Sequence, residues 1–317
     1  MNFFKKMGMA VAATMMLAAA PASAQLGGLG GLGDKLRGVV PGLGGGQPIT
    51  TSLPDARWGN AELDNFTPRE RNRSMLELQR TPNGGFVLQP GYFTYEAQSY
   101  CLKAGTHGPG DGDGYLYAPP KGPAEDAVMT IVRNSVNRPE IPQSDIQQLL
   151  WAIIARAKFE DLSPNLKAVA SRLLTPRQLA GLNRSALDVV TGPAMQRLIG
   201  GVPGPLRQIA QAEASLRQML TTPGASFAEM ERVAVLSGAV PMGPGSQNVP
   251  SGRWSNHPDG YHIRYIPAAY SRTRVEIWVP QGSPSVGKEF DPAAHIAVPG
   301  NTSRQRLIQS GRAHQSR

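Results

Sequence analysis

Cys101 is the only cysteine in the chain, and the histidines are scattered at 107, 257, 262, 295 and 314. A thiolate activated by a nearby imidazole is the nucleophile of cysteine hydrolases, with a polar group orienting the base. His107 is the nearest in sequence, and His257, His262 and His295 could be supplied by folding. The residues around Cys101 carry none of the local signatures that mark the known cysteine-protease families. A lone cysteine otherwise packs as a small buried hydrophobe. Both readings stay open: a catalytic pair of Cys101 and His107, or a structural thiol.

The segment from Tyr92 to Pro120 concentrates further candidates. Tyr92, Tyr95, Tyr100, Tyr115 and Tyr117 flank a Gly-rich run that contains Asp111 and Asp113. Tyrosine suits interfaces because one end is apolar and the other wet. Loops on a rigid scaffold often carry function. Those seven residues are therefore the expected binding surface, the alternative being tyrosines packed beneath a turn. Asp111 and Asp113 also invite a calcium loop. Counted from Asp111, however, the sixth position is Leu116 and the twelfth is Gly122, where the motif needs Gly and Glu.

Ser285 and Lys288 match S-x-x-K, but the accompanying boxes run in the wrong order for the penicillin-interacting serine enzymes. The sequence has no H-E-x-x-H, Walker loop, G-x-S-x-G elbow or C-x-x-C. No two histidines sit at a zinc-ligand spacing, so neither a metal nor a cofactor is expected.

The elements that would position these residues fall into distinct stretches. Thr67-Pro68-Arg69-Glu70 has the form of a capping box and predicts a short helix to Gln79. Phe86 to Leu88 reads as a strand, and 105–114 as a loop. From Ala124 to Val240 the pattern is helical. Ile146, Leu149, Leu150, Ile153 and Ile154 lie on one apolar stripe, with Ser144 and Gln147 as its capping box. Further starts appear at Ser163, Thr175, Ser185 and Ser226, and a longer helix over 205–220. After Pro241 the pattern alternates over 261–266 and 274–279, a hairpin with a loop of six or seven residues. The tail from Asn301 is polar and basic, expected to fray or to dock on a partner.

The expected fold is therefore α+β: a central helical domain with a C-terminal β-hairpin element and Gly/Pro-rich loops. Its divisions are a signal peptide (1–24), a Gly/Leu-rich linker (25–49), a mixed segment (50–123), the helical domain (124–240), the hairpin region (241–300) and the basic tail (301–317). Gly 36 and Pro 28 cluster between these stretches.

Lys5 and Lys6, the apolar run from Met9 to Ala20, and the small residues Ala22 and Ala24 before Gln25 form the n, h and c regions of a cleavable export signal. The apolar run is shorter than the ~20 residues a membrane span needs. The expected location is thus the periplasm, cell surface or extracellular space, with no transmembrane helix in the mature chain. The formal charge of +9 favours an anionic envelope polymer or an acidic envelope protein as partner. Nucleic acid is not expected, because aromatic residues do not interleave with the basic ones. Two functions follow: an exported envelope or surface structural and binding protein without catalytic motif, or an exported hydrolase that uses Cys101.

Overall fold

The computed structural model describes residues 46–189, 200 and 204–314. The expected export signal, most of the Gly/Leu-rich segment, and residues 190–199 and 201–203 lie outside this range; the described residues 186–189 that follow the expected start at Ser185 are not helical.

The core is a closed, six-stranded antiparallel β-barrel. The minor strands are β1 (Asn72–Ser74), β2 (Phe86–Val87), β4 (Thr106–His107), β6 (Val235–Leu236), β7 (Ser255–Asn256) and β10 (Glu289–Phe290). The barrel staves are β3 (Gly91–Cys101), β5 (Tyr115–Ala118), β8 (His262–Ala269), β9 (Arg272–Val279), β11 (Ile296–Pro299) and β12 (Leu307–Ala313). They close in the order β3, β12, β11, β5, β8, β9 and back to β3.

The register fixes which side chains fill the interior. Tyr95 faces Val275, Val275 faces Tyr265, and Tyr265 faces Tyr115. Two residues along β5, Tyr117 faces Ala297, Ala297 faces Leu307, and Leu307 faces Cys101. Cys101 has the same parity on β3 as Tyr95, so the circuit closes on one face. All of these residues are buried, whereas Glu96 and Arg274 on the opposite face are not. A small barrel is filled by its own side chains. A bulge in β12, between Gln309 and Ala313, bends that stave into the closure.

Six helices accompany the barrel. Among the described residues these are α1 (Glu125–Ser135), α2 (Gln143–Ile154), α3 (Pro164–Leu173), α4 (Pro176–Arg184), α5 (Gly204–Thr221) and α6 (Phe227–Ala234). They enter the chain between β5 and β8. α2 touches β3 and four other helices. Its stripe from Ile146 to Ile154 is buried, and so are Trp151 and Ala152. The starts at Thr175 and Ser226 are closed capping boxes, with Gln178 and Glu229 answering.

A central helical domain with a C-terminal hairpin is therefore not the architecture. The helices are an insertion in a barrel whose staves come from both ends of the described chain. The expected hairpin is two adjacent staves, and only Tyr270 and Ser271 separate them. Within the segment read as a tail, Leu307–Ala313 is a stave, with Leu307 and Ile308 fully buried. The helix expected from Thr67 is absent: β1 and a single 3-10 turn, Met75–Glu77, stand there. Residues 69–74 offer no apolar stripe to pack, and a short helix without packing does not hold. Gln147 does not cap α2. Its Oε1 accepts from the Cys101 N–H at 2.8 Å, and its Nε2 donates to the Cys101 carbonyl at 3.2 Å. The helix is thereby tied to β3.

Candidate functional site

Cys101 ends β3 and faces the barrel interior. It is 0 % exposed. Burial raises its thiol well above the ordinary range, and the nearby charge of Glu231 adds to this. Among the described residues no histidine hydrogen-bonds to it. His107 sits in β4, where its backbone bonds Ser303 and Gln305. Its own Nδ1 is buried without a hydrogen-bond partner. The two residues are not brought together as a nucleophile and base.

The five tyrosines lie in the barrel wall, each buried. Tyr95, Tyr115 and Tyr117 face inward. The Tyr95 hydroxyl donates to the Ser310 carbonyl at 3.1 Å, and the Tyr100 hydroxyl to Gln98 Oε1 at 3.1 Å. Tyr92 lies on the outer face and donates to Glu276 Oε2 at 2.5 Å. Arg264 Nε meets the same oxygen at 2.6 Å and stacks over Trp254. In the Gly-rich loop, Asp113 Oδ2 accepts from the Gly110 N–H at 2.9 Å and pairs with Arg304 Nε at 2.7 Å. Arg304 also donates to the Gly108 carbonyl at 2.7 Å. The loop is thus pinned by an arginine from just before β12. Asp111 is exposed.

Folding assembles one cluster that sequence spacing does not show. His257, from the turn after β7, and His295, just before β11, bring their Nε2 atoms to 3.2 Å. The Tyr261 hydroxyl lies 2.7 Å from His295 Nε2. His295 Nδ1 is 2.7 Å from the Asp291 carbonyl, so Nδ1 carries the proton and Nε2 accepts. His257 Nδ1 accepts the Asp259 N–H at 3.1 Å, which places its proton on Nε2. Tyr261 and His257 therefore both aim at one lone pair.

The surroundings are aromatic. Tyr261 stacks on His257 at 4.2 Å, and Tyr117 tilts over both imidazoles at 4.6 and 4.8 Å. Burial pulls His257 down to about 3, and the neighbouring His295 lowers it further. Burial likewise pulls His295 down to about 4, against the opposing pull of the Asp291 carbonyl. Both rings are neutral at neutral pH and bonded to each other. Among the described residues no group of three or more His, Cys, Asp and Glu could hold a metal ion. The cluster can knit the β7–β8 turn to the segment before β11, and it presents no free base to a substrate. His295 lies 38 residues from His257 and 34 from Tyr261, so no local motif could have revealed the cluster.

No helix among the described residues is long and apolar enough to cross a membrane. Comparison with protein-family models, curated proteins and solved structures finds no match to this chain.

Proposed function

We propose that this chain is an exported envelope or surface binding protein without catalytic chemistry, and that its partner is an anionic envelope polymer. The observation that carries the reading is the placement of Cys101. A thiol with no solvent exposure, raised by burial and bridged through its backbone to Gln147, supports a structural role over a nucleophilic one. The two clustered histidines, His257 and His295, hydrogen-bond to each other. With the candidate nucleophile buried and these imidazoles paired, recognition is the outward role that the reading assigns to the chain. The formal charge of +9, two of it in Lys5 and Lys6 of the expected signal, gives that recognition its sign.

Co-sedimentation tests it. Residues 25–317 should pellet with purified peptidoglycan sacculi and not with uncharged chitin, and salt should release them. Equal pelleting with both polymers, or with neither, would remove the reading. Rapid alkylation of the native Cys101 thiol near neutral pH would restore the hydrolase.

A further inference from the structure

At one end of the barrel, between β3, β11 and β12, lies an open pocket lined by Thr51, Leu53, Lys103, Val298, Thr302 and Arg306 among others. Its cavity volume is about 80 Å³, room for a few water molecules. It can take the end of a molecule and not a whole nucleotide. Lys103 belongs to the Tyr92–Pro120 segment, two residues beyond the end of β3. Arg306 immediately precedes β12.

The charges are unbalanced. Neither Asp nor Glu lines the pocket. Arg306 is only 6 % exposed. A guanidinium has five N–H donors. Here one goes from Nη1 to the Thr51 carbonyl and one from Nη2 to the Leu102 carbonyl at 3.4 Å. Arg306 Nε is buried with no hydrogen-bond partner. Such an orphan in a buried cation is costly and calls for an explanation. Lys103 spends one donor on the Thr302 carbonyl at 3.3 Å.

The two carboxylates whose fields reach Arg306, Asp55 and Glu213, are shared with other cations. Asp55 holds Lys121 Nζ at 2.6 Å and accepts the Ser52 N–H at 2.9 Å. Glu213 is buried; that burial raises its carboxyl, against the opposing charges of Arg156, Arg217 and Arg306, among which it is shared. Burial pulls Lys103 down to about 7, and the neighbouring Arg306 charge adds to that. An anion seated between the two would meet both.

The walls choose among anions. Leu53, Pro54, Pro244, Val298 and Pro299 surround the two basic side chains with apolar surface. A carboxylate on a small apolar carbon matches that combination. Arginine recognises the planar carboxylate through several N–H donors at once.

We infer that the Lys103–Arg306 pocket is a binding site for a terminal carboxylate on a small apolar residue, the end of a peptide. This deepens the reading of the chain as a binding protein and rests on it. Two sources share the chemistry: a stem peptide of the envelope polymer, which ends in a D-residue, and the C-terminus of a protein, which ends in an L-residue.

Isothermal titration of residues 25–317 separates them, with N-acetyl-D-alanine, N-acetyl-L-alanine, their uncharged amides and inorganic phosphate as probes. The acid forms should bind and the amides should not. A preference for the D-form assigns the polymer, and for the L-form a protein end. Lys103→Met, at a half-buried position, should weaken binding at least tenfold while the melting temperature holds. Arg306→Lys keeps the charge but removes the fork, and a folded Arg306→Lys protein should also bind more weakly. Equal binding of acid and amide, binding of phosphate in their place, or an unchanged affinity in Lys103→Met would overturn the site. So would the absence of saturable binding. If that absence accompanied salt-sensitive pelleting with sacculi, the pocket would fall and the wider reading would stand.

Discussion

Acid should unfold this protein through His257 and His295, and the loss can be worked from their surroundings. Each ring is buried neutral, at about 3 and about 4, against an ordinary histidine near 6.5. Between those values the unfolded chain binds protons that the folded chain refuses, so stability increases with pH. The contribution is complete above about 6.5 and is lost as pH falls toward 4. Near pH 5 each histidine contributes about 1.4 kcal/mol per pH unit, and the pair about 2.7. For His295 alone the whole window amounts to about 3 kcal/mol.

Other groups share the range. Burial also lowers His262 and His314. Burial raises Glu213 and Asp291, which opposes the effect, because a folded state that holds protons gains from acid. Subtraction isolates the pair. Urea unfolding at pH 7, 6 and 5, followed by tryptophan fluorescence, should show a mean slope in the native protein that falls by about 1 kcal/mol per pH unit in His295→Gln. An identical slope in the two proteins, or no pH dependence between 6.5 and 5, would refute the reasoning.

Other outcomes follow from the same packing. Leu150→Ala, at 0 % exposure, should cost about 2–5 kcal/mol in chemical denaturation, whereas Leu76→Ala, at 49 %, should stay within about 0.5. The Cys101 thiol should react with a disulfide reagent only at the rate of global unfolding, measurable as protection lost in urea. Deleting residues 301–317 removes β12, and circular dichroism should show the barrel lost and not merely a shortened tail. A folded deletion protein would mean that Leu307–Ala313 is dispensable to closure.

Most helices between 124 and 240 were legible, the one expected from Thr67 was not there, and the barrel went unread, for a physical reason. A helix announces itself within a dozen residues through its 3.6 period and its caps, as the stripe from Ile146 and the boxes at Thr175 and Ser226 do. The stave Gly91–Cys101 is buried on both faces over much of its length, because helix α2 covers part of its outer side. The alternation that marks a half-exposed strand is therefore blurred. Tyr115–Ala118 and Ile296–Pro299 are too short to stand out, and closure depends on partners nearly two hundred residues away in sequence. The candidate chemistry fared likewise. Tyr92, Tyr95, Tyr100, Tyr115 and Tyr117 stood out as a surface because their spacing cannot tell inward from outward until the register is known. Arg304 and Arg306 lay in what read as a basic tail, yet one pins the Gly-rich loop and the other floors the pocket. Lys103, two residues from the conspicuous Cys101, entered only as the start of a loose third box, Lys103-Ala104-Gly105, of the penicillin-interacting pattern, whose boxes stand in the wrong order.

The most direct test of the central claim joins the pocket to the partner in one competition. Protein bound to sacculi is challenged with N-acetylalanine, D or L, and with the corresponding amides, at constant ionic strength. The account predicts that the acid releases the wild-type protein from the pellet, that the amide does not, and that Lys103→Met pellets poorly from the start. Pelleting that is unmoved by acid concentrations already saturating the pocket would contradict it.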